Sequence, residues 1–276
     1  MKKDKMYGYR IMKPILGRLF KWYYNPTVIG KENIPKDGSI LVVGNHVHIM
    51  DQCLVIIATK RPIHYMAKRE YFDDKRVAWF FKLAGCIPVD RSVKDENATK
   101  SALEVLNNDF ALGLFPEGTR NGLKEEKIND LYKICKDKYS DYDLFVKVAK
   151  KQKTSQVNYL EELVSNKVIK KKDLIENINR VDDYLKELVK SKVIKQKDYD
   201  NSILLPFKFG AVSMAKKTDS YLVPFGITGT YKFRSKDLVV NIGKPIKVDD
   251  DLEKANTILY KEIQGLIKEN LENSGK

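Results

Sequence analysis

The stretch Ile40–Asp51 reads ILVVGNHVHIMD. It contains a predicted β-strand, followed by the first candidate catalytic residues. Its first four residues are apolar, which is typical of a short strand buried on both faces. The Gly44–Asn45 step that follows is typical of a strand end, where side chains emerge at the rim of a sheet. The apolar run 53–57 is compatible with a helix core or with a second buried segment.

His46 and Asp51 lie five residues apart. Five steps of a straight helix turn through about 500°, so one helical face would not hold both side chains, and a turn must join them if they act as a pair. A histidine takes up a proton near neutral pH, and a carboxylate on its other ring nitrogen fixes the tautomer and stabilises the imidazolium. The pair therefore indicates a general base. The spacing alone is also compatible with a capping or core histidine.

The composition predicts an anionic partner. Lys and Arg number 51 against 37 Asp and Glu among 276 residues, a net charge of +14, which suits a nucleic acid, a membrane surface or a phosphorylated substrate. The three cysteines are far apart and predict neither a disulfide framework nor a zinc ribbon, so a reducing cytoplasm fits. The longest stretch without a charged residue, Gly38–Met50, is shorter than the roughly 20 residues of a membrane-spanning helix.

Residues 1–24 are predicted to form an amphipathic helix that begins afresh or kinks at Pro14. The segment carries seven Lys and Arg, with Asp4 as its one acid. Apolar residues recur between them at steps of three and four: Tyr7, Ile11, Ile15, Leu19, Trp22 and Tyr23. The pattern indicates a helix lying in a membrane interface, and the alternative is a terminal helix docked on the protein's own core.

Strand and helix patterns alternate along the rest of the chain. Strands are predicted at 40–43, 85–91, 111–115, 221–227 and 238–242, and helices at 77–84, 98–108 and 250–272. The alternation argues for an α/β sheet with functional residues at strand ends. The bulky Trp79-Phe80-Phe81 is interpreted as core, or as a second patch facing a membrane or an acyl chain.

Four motifs follow one another in order: NHxxxxD at 45–51, GxIxVDR at 85–91, FPEGTR at 115–120, and VP at 223–224 with GT at 229–230. Together they resemble the motifs of the glycerolipid acyltransferases, in particular the bacterial 1-acylglycerol-3-phosphate acyltransferases. The similarity covers roughly residues 10–120 and 202–248. It implies an α/β fold with a central mixed sheet flanked by helices, as in the glycerol-3-phosphate acyltransferases.

The resemblance also implies a site. His46 would be the general base on a glycerol hydroxyl and Asp51 its orienting partner, without an acyl-enzyme. The hydroxyl would attack the thioester of acyl-CoA or of acyl carrier protein, which are substrates, so no cofactor and no metal is expected. The substrate-binding residues would be Asn45, Arg91, Glu117, Gly118, Thr119 and Arg120. Arg91 would hold a phosphate, and its alternative is an ion pair with Asp90 or Glu117. Phe115 is interpreted as core packing.

His48 departs from the small or polar residue usual at its position in the family. His46-x-His48 resembles the start of a metallohydrolase ligand set. His64 is the only further histidine in the sequence, however, and the following Asp is displaced by one residue from the usual pattern. We interpret His48 as a pocket wall or as a support for the pair.

Residues 121–201 are interpreted as a helical insertion, because the Pro-Phe-Lys-x-Gly stretch that closely follows FPEGTR in the family arrives here only at 206–210. The insertion contains a repeat: YLEELVSNKVIKKKD at 159–173 returns as YLKELVKSKVIKQKD at 184–198. Two copies are too few for a solenoid, so a small helical subdomain is predicted. Its role would be a lid or a docking surface for acyl carrier protein or the membrane, and the alternative is a solvated decoration.

The domains predicted are therefore an interface helix at 1–24, an acyltransferase domain at 25–120 and 202–276, and the insertion at 121–201. The function expected is transfer of an acyl group to 1-acylglycerol 3-phosphate, giving phosphatidic acid, at the cytoplasmic face of the cell membrane and without a nucleic-acid partner. The alternatives are glycerol 3-phosphate or another lysolipid as acceptor, a metal-dependent hydrolase, and a non-catalytic membrane scaffold.

Overall fold

The computed structural model describes residues 6–90, 92–93 and 95–274. The chain divides into two compact units, of which the second is Thr119–Pro206 and the first is formed by the described residues on either side of it. The insertion predicted at 121–201 lies within the second unit.

The first unit is built on a mixed sheet. Its described strands are β1 (Thr27–Ile29), β2 (Ile40–Gly44), β3 (Ile63–Lys68), β4 (Ile87–Val89), β5 (Ala111–Leu114), β6 (Tyr221–Thr228), β7 (Val239–Ile242) and β8 (Ile246–Lys247). Their order is β1-β7-β6-β2-β5-β3-β4, with β8 beside β6. Strands β2 to β6 run parallel, and β7 and β8 run antiparallel to β6. The predicted α/β class with a central mixed sheet is confirmed.

The described helices follow in chain order. They are α1 (Tyr7–Tyr24), α2 (Asp51–Ala58), α3 (Glu70–Asp73), α4 (Ala78–Leu83), α5 (Glu96–Asn107), α6 (Glu125–Cys135), α7 (Tyr142–Ala149), α8 (Thr154–Ser165), α9 (Lys171–Asn177), α10 (Val181–Lys190), α11 (Gln196–Asn201), α12 (Gly210–Lys217) and α13 (Leu252–Ser274). Helix α1 continues through Pro14 without a break. None of the helices within the described ranges combines the length and the hydropathy needed to cross a bilayer.

Strand β2 is enclosed within the sheet. All five of its residues are buried, which agrees with the uninterrupted apolar run of 40–43. It lies between β5 and β6, and the run 53–57, which the sequence left open, is part of α2. The carboxyl ends of the parallel strands β2 to β6 meet at one edge of the sheet, so the segments that follow these strands are gathered there.

The repeat in the second unit is visible as a repeated turn. Lys167 and Lys192 both adopt left-handed backbone, with φ of 59° and 60°, just beyond the ends of α8 and α10. The amides of Val168 and Val193 each donate at 2.9 Å to the carbonyl of the leucine five residues earlier. The two helices therefore end by the same mechanism.

Gly44, at the end of β2, is a position that leaves no room for a side chain. A Cβ there would lie 2.2 Å from the Phe225 ring and 2.4 Å from the Phe225 carbonyl oxygen. We expect Gly44→Ala to lower the free energy of unfolding by about 3 kcal/mol or more, because overpacking here displaces a central strand. The matched control is Gly265→Ala, since a Cβ there meets no atom within 4 Å and alanine favours helix. Equal urea midpoints for Gly44→Ala and wild type would contradict the expectation.

Candidate active site

The predicted pair is in contact. Strand β2 ends at Gly44, the chain turns, and α2 begins at Asp51, so His46 and Asp51 face each other across the turn. His46 Nδ1 lies 2.8 Å from Asp51 Oδ2, with Asp51 fully buried and the His46 side chain 12% exposed. With the Nδ1 proton donated to the carboxylate, Nε2 is the ring nitrogen able to accept a proton.

Four donors from the described residues hold Asp51. Besides His46, its Oδ2 accepts hydrogen bonds from the backbone amides of Val47 at 2.6 Å and His48 at 2.8 Å. Its Oδ1 accepts a hydrogen bond from the Tyr231 hydroxyl at 2.6 Å. Asp51 is also the first residue of α2, where the helix dipole favours a negative charge. The carboxylate is therefore fixed in orientation by these donors.

Strand β5 supplies the second wall of the site. The Phe115 ring stacks on the His46 ring with centroids 4.0 Å apart and 12° between the planes, in addition to packing against the core. The backbone amide of His46 donates to Glu117 Oε1 at 2.8 Å, and Glu117 is buried. Burial, together with the Glu117 carboxylate, raises the pKa of Tyr260 to about 12. The ends of β2 and β5 are thus joined at the histidine.

Asn45 uses both ends of its side-chain amide on one backbone partner. Its Nδ2 donates to the Ile227 carbonyl at 3.0 Å, and its Oδ1 accepts from the Ile227 amide at 2.7 Å. The residue is 4% exposed. These bonds hold β6 against the end of β2, and a part for Asn45 in substrate binding stays a prediction.

Gly118 closes the FPEGTR turn in left-handed backbone, with φ of 71°. A Cβ there would lie 2.9 Å from Lys208 Nζ, so the Lys208 ammonium rests over this glycine. The Lys208 amide also donates to the Pro116 carbonyl at 2.9 Å. The left-handed backbone favours glycine here, and a Cβ would require the flexible end of the Lys208 side chain to move.

The remaining predicted residues lie outside the described residues or in the second unit. Arg91 lies outside the described residues, although β4 and Asp90, which precede it, reach the same sheet edge. Thr119 and Arg120 are the first residues of the second unit. Their predicted contacts with substrate stay predictions.

Two features escaped the sequence analysis. Tyr231 reaches Asp51 from the segment after β6, directly behind the Gly229-Thr230 motif. Lys68 is the last residue of β3 and Arg69 follows it. Two exposed basic side chains therefore lie at the same edge of the sheet. Inspecting the last residue of every parallel strand would have found the basic pair, whereas nothing in the sequence indicates the Tyr231 contact.

His48 contacts the turn before α2 and the Tyr231 ring. Its Nδ1 accepts from the Met50 amide at 3.3 Å, and its ring stacks on Tyr231 with centroids 4.1 Å apart. Among residues 6–90, 92–93 and 95–274, no three or more His, Cys, Asp or Glu side chains are grouped so as to hold a metal ion.

Comparisons with known proteins extend the resemblance. The family model described as Acyltransferase matches residues 25–228. The 1-acyl-sn-glycerol-3-phosphate acyltransferase of Bacillus subtilis is 33% identical over 34% of this chain and 47% of its own length. Its counterpart in Borreliella burgdorferi is 34% identical over 34% of this chain and 38% of its own length. The chain thus matches less than half of the length of these curated relatives.

A solved structure agrees over nearly the whole chain. The 1-acyl-sn-glycerophosphate (LPA) acyltransferase PlsC from Thermotoga maritima aligns with 98% of this chain and 83% of its own, with a TM-score of 0.56 and 18% identity. At that identity the likeness concerns the fold. Because the family model covers most of the chain, including both residues of the pair, the chain belongs to the acyltransferase family.

Proposed function

We propose that this protein transfers a fatty acyl group from acyl-CoA or acyl carrier protein to the sn-2 hydroxyl of 1-acylglycerol 3-phosphate, forming phosphatidic acid. The observation that carries the proposal is the 2.8 Å contact between His46 Nδ1 and Asp51 Oδ2, which leaves Nε2 as a base. The names of the matched relatives from Bacillus subtilis and Borreliella burgdorferi support this acceptor.

The proposed reaction needs only one base. As the acceptor oxygen forms a bond to the thioester carbonyl carbon, its proton passes to His46 Nε2, and Asp51 stabilises the imidazolium. The carbon–sulfur bond then breaks, and the leaving thiolate takes the proton from His46. No further cofactor is required, because the thioester supplies both the acyl group and its leaving group. General-base catalysis of this kind contributes about 10²- to 10⁴-fold.

Basic side chains at the same sheet edge support a phosphorylated acceptor. Lys68 and Arg69 lie at the end of β3, and Lys208 rests over Gly118, next to the Glu117 that holds His46. Arginine binds phosphate with two parallel hydrogen bonds and lysine with a point charge. We propose that these residues, with Arg91, select an acceptor that carries a phosphate.

The acceptor is identified by a panel assay. Purified protein is given labelled acyl-CoA or acyl carrier protein with, in turn, 1-acylglycerol 3-phosphate, glycerol 3-phosphate and an uncharged lysolipid, in detergent micelles. We expect phosphatidic acid as the main product. An unrelated protein purified from the same host measures contaminating activity. Transfer to glycerol 3-phosphate alone, or no transfer to any acceptor, would overturn the proposed acceptor.

We propose that α1 attaches the protein to the cytoplasmic face of the cell membrane. Tyr9 and Phe20 dock the helix on the core, while its apolar stripe stays exposed, with Ile11 67% and Ile15 66% accessible. The apolar face consists of exposed side chains from α1, α4 and the segment after β6: Tyr7, Ile11, Ile15, Leu19, Trp22, Leu83 and Phe233. An exposed apolar surface with basic neighbours suits an anionic lipid interface.

The double variant Ile11→Asn with Ile15→Asn is expected to bind vesicles about 10²-fold more weakly or worse. Burying one such side chain contributes about 1.5–3 kcal/mol, and 1.4 kcal/mol corresponds to a factor of ten. Co-sedimentation with vesicles of phosphatidylglycerol and phosphatidylcholine measures the effect. Leu271→Asn, at an exposed leucine of α13, is the matched control and should bind like wild type. Equal binding by the double variant, or equal loss in the control, would contradict the proposal.

A further inference from the structure

Tyr231 contacts Asp51 through the carboxylate oxygen that does not bind His46. It follows β6, 180 residues beyond Asp51, and its hydroxyl donates to Asp51 Oδ1 at 2.6 Å. The other carboxylate oxygen, Oδ2, serves His46. The two side chains therefore share one carboxylate, with one oxygen each.

The Tyr231 hydroxyl remains a donor throughout the working pH range. Burial, and secondarily the negative charge of Asp51, raises the pKa of this phenol far above its ordinary value. A phenol with a raised pKa keeps its proton at neutral pH. The Tyr231 hydroxyl can therefore donate a hydrogen bond to the Asp51 carboxylate.

Two rings fix the position of Tyr231. The His48 ring stacks on it at 4.1 Å with 20° between the planes, and Tyr24, the last residue of α1, meets it edge-on at 5.6 Å. With both sides occupied, the tyrosine ring has little freedom to move its hydroxyl away from Asp51. The stacking also gives His48 a part in the site that needs no metal.

We propose that Tyr231 is a positioning residue, which fixes the Asp51 carboxylate toward His46 and moderates the basicity of His46. The inference rests on the proposed function only in that His46 is the base. A neutral donor on Oδ1 draws negative charge away from Oδ2, so the carboxylate attracts an imidazolium less strongly. Without the hydroxyl, Oδ2 becomes more negative and less firmly oriented.

Other titratable groups surround the pair and must be distinguished from Tyr231. Those facing Asp51 or Tyr231 from neighbouring elements are Tyr24, His48, Cys53 and Tyr65, and Glu117 accepts from the His46 backbone amide. Burial raises the pKa of the Cys53 thiol to about 12 and that of the Tyr65 phenol well above its ordinary value. Neither group titrates near neutral pH. His48 gives its own resonance and is therefore followed separately.

The test uses the Tyr231→Phe variant and reads His46 directly. The full chain is labelled at the histidine Cε1 carbons, the three signals are assigned with single histidine replacements, and each is followed against pH by NMR. We expect the His46 titration midpoint in Tyr231→Phe to rise by about 0.5–1 pH unit, a fraction of the 1–3 units that a whole neighbouring charge produces. An unchanged or lowered midpoint overturns the proposal.

Tyr199→Phe is the matched control. In the second unit the Tyr199 hydroxyl donates to Asp182 Oδ1 at 2.9 Å, so the variant removes the same kind of hydrogen bond. Its His46 midpoint should equal that of wild type. If Tyr231→Phe fails to fold, 3-fluorotyrosine placed at 231 provides the second test, because its more acidic phenol is a stronger donor and should lower the midpoint. No change in that protein overturns the proposal.

The NMR readout needs no substrate, so it is independent of whether the acceptor has been identified correctly. With an active acceptor in hand, Tyr231→Phe is expected to lower kcat by up to about 10²-fold, the loss that a misplacement of about 1 Å brings, at nearly unchanged KM. A raised KM at unchanged kcat would contradict a positioning role and would place Tyr231 in substrate binding instead.

Discussion

Replacing His46 with alanine is expected to lower the rate of acyl transfer by about 10²- to 10⁴-fold, the contribution of a positioned general base. The Nδ1 atom of His46 is committed to Asp51 at 2.8 Å, and Nε2 is left to accept the hydroxyl proton. In the alanine variant that proton must pass to solvent, while Asp51, Phe115 and Glu117 keep their places.

The measurement is steady-state transfer to 1-acylglycerol 3-phosphate at saturating donor. His64→Ala is the matched control. His64, on β3, donates from Nδ1 to the Gly85 carbonyl at 2.8 Å and stacks on Phe110, so its loss should affect stability rather than kcat. Circular dichroism establishes that His46→Ala is folded. A folded His46→Ala protein with more than half of the wild-type rate would exclude His46 as the base.

Asp51→Asn is expected to lower kcat by up to about 10⁴-fold, the loss that asparagine causes at the orienting carboxylate of the serine protease triad. The amides of Val47 and His48 point at Oδ2, so the asparagine must turn its carbonyl oxygen there. Its amino group then faces the Tyr231 hydroxyl. The geometry is nearly retained, but the negative charge that stabilises the imidazolium is lost.

The same variant should also reduce the free energy of unfolding by about 2 kcal/mol, because hydrogen bonds to a charged acceptor are stronger than those to a neutral one. Urea unfolding measures this part, and Asp182→Asn in the second unit is the control, since Asp182 also accepts from a tyrosine hydroxyl. The control should lose stability without losing kcat. An Asp51→Asn enzyme that is less stable but fully active would show that Asp51 has only a structural role.

The sheet and the pair could be predicted because their determinants are local. The apolar run at 40–43 predicts a strand buried on both faces, because helices cover both faces of a parallel sheet, whatever the order of its strands. His46 and Asp51 are joined by a short turn, so their contact depends on few neighbouring residues. The exposed apolar stripe of α1 was likewise predicted, because its residues recur at the spacing of a helix.

Other parts of the site depend on strand register. The prediction that Asn45 binds substrate stays a prediction. Its side-chain amide forms hydrogen bonds with Ile227, a partner determined by how β6 pairs with β2. Phe115 was interpreted as core packing, and its ring also stacks on His46 because β5 lies beside β2. Neither the Asn45–Ile227 contact nor the Phe115–His46 contact can be predicted from the sequence of one strand alone.

The amino-acid order was thus sufficient for the class of fold, the family and the two residues of the pair, because burial, turn formation and motif spacing act over short distances along the chain. The contact of Tyr231 with Asp51 spans 180 residues and came from the tertiary structure alone. It exists because β6 aligns beside β2 and delivers the segment after its carboxyl end to the turn that holds Asp51. Strand order and register are cooperative properties of the whole sheet, so no local pattern encodes them.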